Sequence, residues 1–180
     1  MKLPTPYKFY LLLISLFFYT SAFSQNIEYT FTTKSKLLEE MKQNSKAEYH
    51  LIYVYAPWCK PCKKHLPKLL TYLKNNSKVK LYLLDYDNSS SIYIPEHKFL
   101  QSIGYSGTIY QIDLSYYDKK PYTRHKDKRY NAFLDELIPW ETGRELSKYI
   151  LFDKDLKLVY VSELEDKKLS ALNQFIFFSH

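Results

Sequence analysis

The chain's only two cysteines lie two residues apart, in the segment APWCKPCKKHLP at residues 56–67. Cys59 and Cys62 follow an apolar run and stand at the head of a predicted helix. There the first thiol lies beside unpaired backbone N–H groups, at the positive end of the helix dipole, which stabilises its thiolate. The spacing therefore predicts a redox pair in which Cys59 is the nucleophile and Cys62 the resolving thiol.

Lys60, next to the first cysteine, is expected to adjust this chemistry. Its positive charge favours the thiolate and makes the couple more oxidising, although solvent screens part of the effect. A bridge between cysteines so close in sequence constrains the unfolded chain little. We therefore expect the pair to serve chemistry rather than stability.

Hydropathy indicates which elements hold the pair. The segment from Tyr49 to Ala56 is apolar without polar alternation, which is typical of a strand buried on both faces in a parallel sheet. From Cys59 onward the apolar residues recur at helical spacing, with Leu66 and Leu69 on one face. The cysteines are thus predicted to lie where a buried strand gives way to a helix.

Further strands and helices alternate along the chain. Strands are predicted from Ile27 to Thr33, Lys78 to Asp87 and Thr108 to Leu114, helices at residues 34–46, 95–104, 130–138 and 164–176, and a hairpin at residues 148–162. Residues 115–129 are charged and poor in apolar side chains, so we interpret them as an exposed loop whose basic part is solvated. This order predicts an α/β fold with a mixed central sheet flanked by helices.

The first 24 residues predict export. Two lysines precede an apolar run from Phe9 to Tyr19, and small residues follow at Ala22 and Ser24, a pattern typical of a secretory signal peptide. We expect a single exported or periplasmic domain at residues 25–180, or an anchored protein if the segment stays uncleaved, although a membrane span needs about 20 apolar residues. Removing two lysines lowers the formal charge from +7 to +5, which does not indicate nucleic-acid binding.

The segment VYAPWCKPCKKHLP resembles the active site of the thioredoxin superfamily, including Trp58 and Pro67. The rest looks like the exported TlpA/ResA-type thiol-disulfide oxidoreductases, with YILFDKDLKLVYVSE at the terminal hairpin and an extended insertion around residues 105–146. The resemblance implies a thioredoxin-like fold, protein disulfide substrates, a membrane electron donor, and no cofactor besides the redox-active disulfide. It also implies that Pro61 tunes the couple and that Trp58 shapes the contact surface.

Three positions depart from the family pattern. Ser147 or Lys148 stands where the family has a cis-proline beside the cysteines, so Ser147 is expected at the loop where substrates pair. The buried acid that assists the second cysteine corresponds to Tyr53, which leaves proton transfer to water or, as a hypothesis, to Glu141. In the hairpin turn, Leu156 replaces a frequent glycine, at a cost of about 1 kcal/mol if its backbone is left-handed.

Two other functions stay open. The departures allow a thioredoxin-fold module that binds a partner without turnover. Alternatively, Cys59, Cys62 and His65 could supply three metal ligands, but a closed zinc site needs four, and the chain has no second pair of cysteines. We keep both as alternatives to the redox function.

Overall fold

The computed structural model describes residues 26–44, 46–86, 93–117, 126–138 and 146–162, together with Ser170 and Leu172. The elements within them are β1 (Ile27–Thr32), α1 (Lys34–Gln43), β2 (Tyr49–Tyr55), α2 (Lys60–Lys74), β3 (Val79–Asp85), α3 (Tyr93–Ser102), β4 (Gly107–Ile112), α4 (Leu114–Tyr117), α5 (Lys126–Leu137), β5 (Tyr149–Asp153) and β6 (Leu158–Val161). The predicted signal segment, Glu141 and most of the predicted C-terminal helix lie outside the described residues.

The described strands form one mixed sheet in the order β1-β4-β3-β2-β5-β6. The four strands from β1 to β2 run parallel to their neighbours, whereas β5 is antiparallel to β2 and β6 is antiparallel to β5. This confirms the predicted α/β fold with a mixed central sheet. Strand β2, which leads to the cysteines, lies inside the sheet between β3 and β5.

The burial of β2 explains its apolar sequence. The side chains of Leu51, Tyr53 and Tyr55 belong to one core cluster, and those of Ile52 and Val54 belong to the other. Successive residues of a strand point to opposite faces, so an interior strand covered on both sides needs apolar residues throughout. The structure thus confirms the prediction of a strand buried on both faces.

Helices cover both faces of this sheet. Helix α2 packs the buried side chains Cys62, Leu66 and Leu69 into the first cluster. On the opposite face, α1 contributes Leu37 and Met41, and α5 contributes Phe133, Leu134 and Leu137. Each helix buries one apolar stripe, as the helical spacing predicted. Among the described helices, none has the length and hydropathy needed to cross a bilayer.

Several boundaries differ from the sequence predictions; the strand predicted to reach Leu114, for example, ends at Ile112, and Leu114 begins α4. Helix α3 begins at Tyr93 rather than at Pro95, which is tolerated because N–H groups in the first turn have no helical partner. The loop predicted at residues 115–129 was partly wrong, since α4 ends at Tyr117 and α5 begins at Lys126. Lysine and arginine favour helices, so a short polar helical start lacks apolar periodicity and resembles a loop in sequence.

The terminal hairpin has the predicted turn and the predicted backbone irregularity. Strands β5 and β6 pair on either side of it, and the Asp153 carboxylate accepts hydrogen bonds from the backbone N–H groups of Asp155 and Lys157. Leu156 has φ of 60°, in the left-handed region. Its Cβ therefore crowds the following carbonyl oxygen.

We expect the Leu156→Gly variant to be more stable than Leu156→Ala by about 1 kcal/mol, because both lose the leucine side chain but only glycine lacks the crowded Cβ. Urea denaturation of the two variants measures this difference. At a residue with ordinary strand geometry, alanine is the more stable of the two. Greater stability of the alanine variant would therefore contradict the left-handed assignment.

The tyrosine-rich core predicts a loss of stability at alkaline pH. Burial raises the pKa of Tyr53 to about 12 and also raises the pKa values of Tyr105 and Tyr149. These phenols ionise near pH 10 once the chain unfolds, so the free energy of unfolding should fall as the pH rises from 10 toward 12. Urea titrations at pH 8 and pH 11 measure the change. Tyr105→Phe should weaken this pH dependence, because it removes one of the phenols whose pKa is raised by burial.

Candidate active site

Four residues connect the buried strand β2 to the helix that carries the second cysteine. After β2 ends at Tyr55, the backbone turns so that the N–H of Cys59 donates to the carbonyl of Ala56 at 3.0 Å. Cys59 is the N-cap of α2, and the helix begins at Lys60. The two cysteines form a disulfide, with Cα atoms 5.2 Å apart.

The environments of the two sulfurs differ. The backbone N–H of Cys62 donates to the Sγ of Cys59 at 3.2 Å, so that sulfur takes the place of the oxygen in an ordinary N-cap. Cys59 is 6% exposed and Cys62 is fully buried. No acidic residue occupies the first turn of α2, so no side chain there competes with a thiolate for the positive end of the helix. In the dithiol form, this arrangement favours a thiolate on Cys59.

The other predicted residues of the motif lie on the surface. Lys60 and Pro61 are exposed at the first two positions of α2. Trp58 is 55% exposed, and its ring meets that of Tyr86 edge to face, with centroids 6.1 Å apart. Tyr86 in turn packs against Tyr130 of α5 at 4.8 Å. Two tyrosine rings in a row therefore support the exposed indole next to the cysteines.

Ser147 reaches the cysteine pair through a tyrosine. The Tyr53 hydroxyl donates to the carbonyl of Cys62 at 3.4 Å and lies 2.9 Å from the Ser147 hydroxyl. A phenol has a single proton, so Ser147 is the donor to Tyr53. The Nδ1 atom of His65 lies 3.5 Å from the same serine oxygen. Side chains from β2, α2 and the loop before β5 thus converge on the backbone of Cys62.

The loop before β5 also pairs with β2. The N–H of Ser147 donates to the carbonyl of Val54, and the N–H of Val54 donates to the carbonyl of Lys148. Ser147 is buried with φ of 66°, and the described residues contain no cis peptide bond. This part of the chain, where the family has its proline, thus lies beside the cysteine-bearing helix, held by backbone pairing and by the serine hydroxyl.

Tyr53 occupies the position where the thioredoxin family has a buried acidic residue, and its side chain is uncharged. Burial is the main cause that raises its pKa to about 12, and the hydrogen bond from Ser147 offsets this only in part. The phenol therefore stays neutral near pH 7 and donates a hydrogen bond rather than accepting a proton. Glu141, the other hypothesis for proton transfer, lies outside the described residues.

The alternative of a metal site requires several ligating side chains close together. Within the described ranges, no three or more histidine, cysteine, aspartate or glutamate side chains lie together in a way that could hold a metal ion. His65 is half-buried on α2, and its ring nitrogen faces Ser147. Its role as a third ligand remains a prediction.

Comparison with known proteins gives one sequence match and several structural ones. A family model described as thioredoxin matches residues 28–96. A search of curated protein sequences gave no match. The structural matches include the thioredoxin domain of a thiol-disulfide oxidoreductase from Bacteroides vulgatus, with 18% identity, coverage of 74% of this chain and 83% of that one, and a TM-score of 0.48.

Two further structures are similar at the same level. A thioredoxin-like protein from Aeropyrum pernix has 14% identity, covers 75% of this chain and 81% of its own, and has a TM-score of 0.48. A thiol:disulfide interchange protein from a Bacteroides species has 15% identity, covers 74% and 76%, and has a TM-score of 0.47. The sequence match spans the strand, turn and helix that form the cysteine site, so this part of the chain is similar to thioredoxin in sequence.

Sequence reasoning missed several contacts of this site. It assigned Tyr53 to the position of a missing acid, but not its bonds to Ser147 and Cys62. The period of β2 shows that Tyr53 and Tyr55 share a face, but the serine is 94 residues away in sequence, and no local signal links the two. The packing of Tyr86 under Trp58 is missed for the same reason.

We expect Tyr53 and Ser147 to be energetically coupled. Tyr53→Phe and Ser147→Ala each remove the hydrogen bond between the two buried hydroxyls and should lower the free energy of unfolding by about 1–2 kcal/mol. The double variant should lose less than the sum by about 1 kcal/mol, because the bond between the two hydroxyls can be lost only once. Urea denaturation of all four proteins completes the cycle. Strict additivity would show that this hydrogen bond contributes nothing to stability.

Proposed function

We propose that the protein is an exported thiol-disulfide oxidoreductase of the TlpA/ResA type, which reduces or exchanges disulfides in envelope proteins. The observation that carries this proposal is the cysteine N-cap, in which the sulfur of Cys59 accepts a hydrogen bond from the N–H of Cys62. A thiolate needs both stabilisation and access to act as a nucleophile. The helix start stabilises a thiolate on Cys59, which is 6% exposed, whereas Cys62 is fully buried and is positioned to act second.

The reaction proceeds in two exchanges. The Cys59 thiolate attacks one sulfur of a substrate disulfide, a mixed disulfide forms, and the first substrate thiolate leaves. Cys62 loses its proton and attacks the Sγ of Cys59, so the second substrate thiolate leaves and the protein keeps the Cys59–Cys62 disulfide. The substrate gains two electrons and two protons, and the protein loses the same number.

Turnover requires a reductant that returns two electrons to the protein disulfide. We propose a membrane electron donor for this step, in line with the resemblance to exported family members. The predicted signal peptide at residues 1–24 supports an exported location, either periplasmic or anchored if the segment is retained. No cofactor besides the redox-active disulfide enters this scheme.

Trapping the first intermediate tests the order of attack. Cys62→Ser should accumulate a mixed disulfide through Cys59, because the resolving thiol is gone, whereas Cys59→Ser should accumulate far less because Cys62 is buried. Non-reducing electrophoresis after acid quenching of cells that express each variant detects the adducts. The double variant Cys59→Ser/Cys62→Ser is the control for non-covalent association. If Cys62→Ser traps no partner, the redox proposal loses its main support, and the binding alternative replaces it.

The direction of electron flow follows from the potential of the pair. Thiol trapping in glutathione or dithiothreitol buffers measures it for the mature domain. A value near about −270 mV, as in thioredoxin, indicates a reductase, and a value near about −120 mV indicates an oxidant or isomerase. We expect Lys60→Gly to shift the potential toward more reducing values, because it removes a charge that favours the thiolate. A pair that does not cycle at all would contradict catalysis.

A further inference from the structure

Helix α2 presents a row of lysines that begins next to the nucleophile. Lys60, Lys64 and Lys68 are four residues apart, so they lie along one side of the helix, and all three are exposed. With a rise of about 1.5 Å per residue, this lysine row extends about 12 Å along the helix from its first residue. The row therefore begins at the residue that follows Cys59.

This row opposes helix stability. Like charges four residues apart destabilise a helix, and a lysine in the first turn opposes the helix dipole. The helix contains five lysines and no acidic residue to offset them. A local pattern that weakens its own helix is typical of a functional surface.

The lysines have no acidic partners among the described residues. The one ion pair found there joins Lys78 to Glu48, away from the row. No aspartate or glutamate occurs between Glu48 and Asp85 in the sequence, and Asp85 is fully buried beside Gln111. The positive charge of the row is therefore available to a bound molecule.

Trp58 precedes the nucleophile directly in the sequence, and Lys60 follows it directly. The indole is exposed and packs against Tyr86, so it offers a fixed apolar surface. A polypeptide whose cysteine reaches Cys59 thus approaches residues that offer an aromatic ring and the first ammonium group of the lysine row. The positive charge attracts acidic residues that lie next to the reactive disulfide of the substrate. The indole offers a contact for an apolar residue of the same substrate.

We infer that the lysine row of α2 selects substrates whose reactive disulfide lies in an acidic protein segment. This inference rests on the proposed oxidoreductase function and names its substrate class. Positive charge next to the nucleophile raises the local concentration of such segments and so raises the rate of the first exchange. The advantage should fall as salt screens the charges.

The test compares two disulfide peptides of equal length with the reduced full chain. One has aspartate and glutamate around its cysteines, and the other has asparagine and glutamine at the same positions. We expect the second-order rate constant for the acidic peptide to exceed that for the neutral one by about tenfold at low ionic strength. The difference should shrink to about twofold or less near 1 M salt, where the Debye length is about 3 Å. This comparison needs no variant.

Charge-reversal variants test whether the preference for the acidic peptide comes from the lysine row. Lys64→Glu/Lys68→Glu should abolish or invert the preference, which is measured as the ratio of the two rate constants within the same variant. The matched control, Lys36→Glu/Lys42→Glu, changes the net charge equally on exposed residues of α1 and should retain the preference. Circular dichroism checks that both variants fold.

Each outcome decides the inference. Equal rates for the two peptides at low salt would overturn it while leaving the oxidoreductase function in place. An equal loss of preference in the control variant would also overturn it, because the effect would then come from net charge. If neither peptide is reduced, the proposed function fails and the inference fails with it.

Discussion

The site depends on one constraint, which is that the chain must leave a buried strand and begin a long helix within four residues. Strand β2 is held from both sides by β3 and β5, so the starting point of α2 is fixed by the sheet. The first free N–H groups of the helix then meet the sulfur of Cys59 rather than a hydroxyl or carboxylate oxygen. A thiol at the N-cap is thereby brought into contact with the strongest local donor that a backbone offers.

Next to the buried cysteine, the chain has neutral side chains where the family resemblance leads us to expect a buried acidic residue. Tyr53, Ser147 and the carbonyl of Cys62 form a chain of hydrogen bonds, and burial keeps the phenol protonated. A buried unpaired carboxylate is costly, whereas a satisfied neutral network is not. The second cysteine is therefore held in place by dipoles, and the charges of the site lie outside on the lysines of α2.

Sequence periodicity predicted the sheet and the cysteine site well because both are local. The burial of β2, the helix after Cys59 and the hairpin turn at Leu156 all follow from patterns of a few residues. What the sequence could not show is which distant residues meet. Ser147 was placed near the cysteines only through the resemblance, and its contacts with Tyr53 and His65 join three separate elements. The start of α5 was also missed, because a polar helical turn lacks the apolar signal.

The strand order has a consequence for how the chain assembles. Strand β1 comes first in the described part of the chain, but its only neighbour among the described strands is β4, and Ile27 pairs with Gly107, 80 residues later. The unit β2-α2-β3, by contrast, is complete at Asp85. The two thiols thus belong to a unit with β2 and β3 that is complete in sequence well before β4 and β5 can join the sheet. Strand β1 must wait for its distant partner β4, and such long-range pairing is slow. The thiols belong to a segment whose contacts are more local, and local contacts form early.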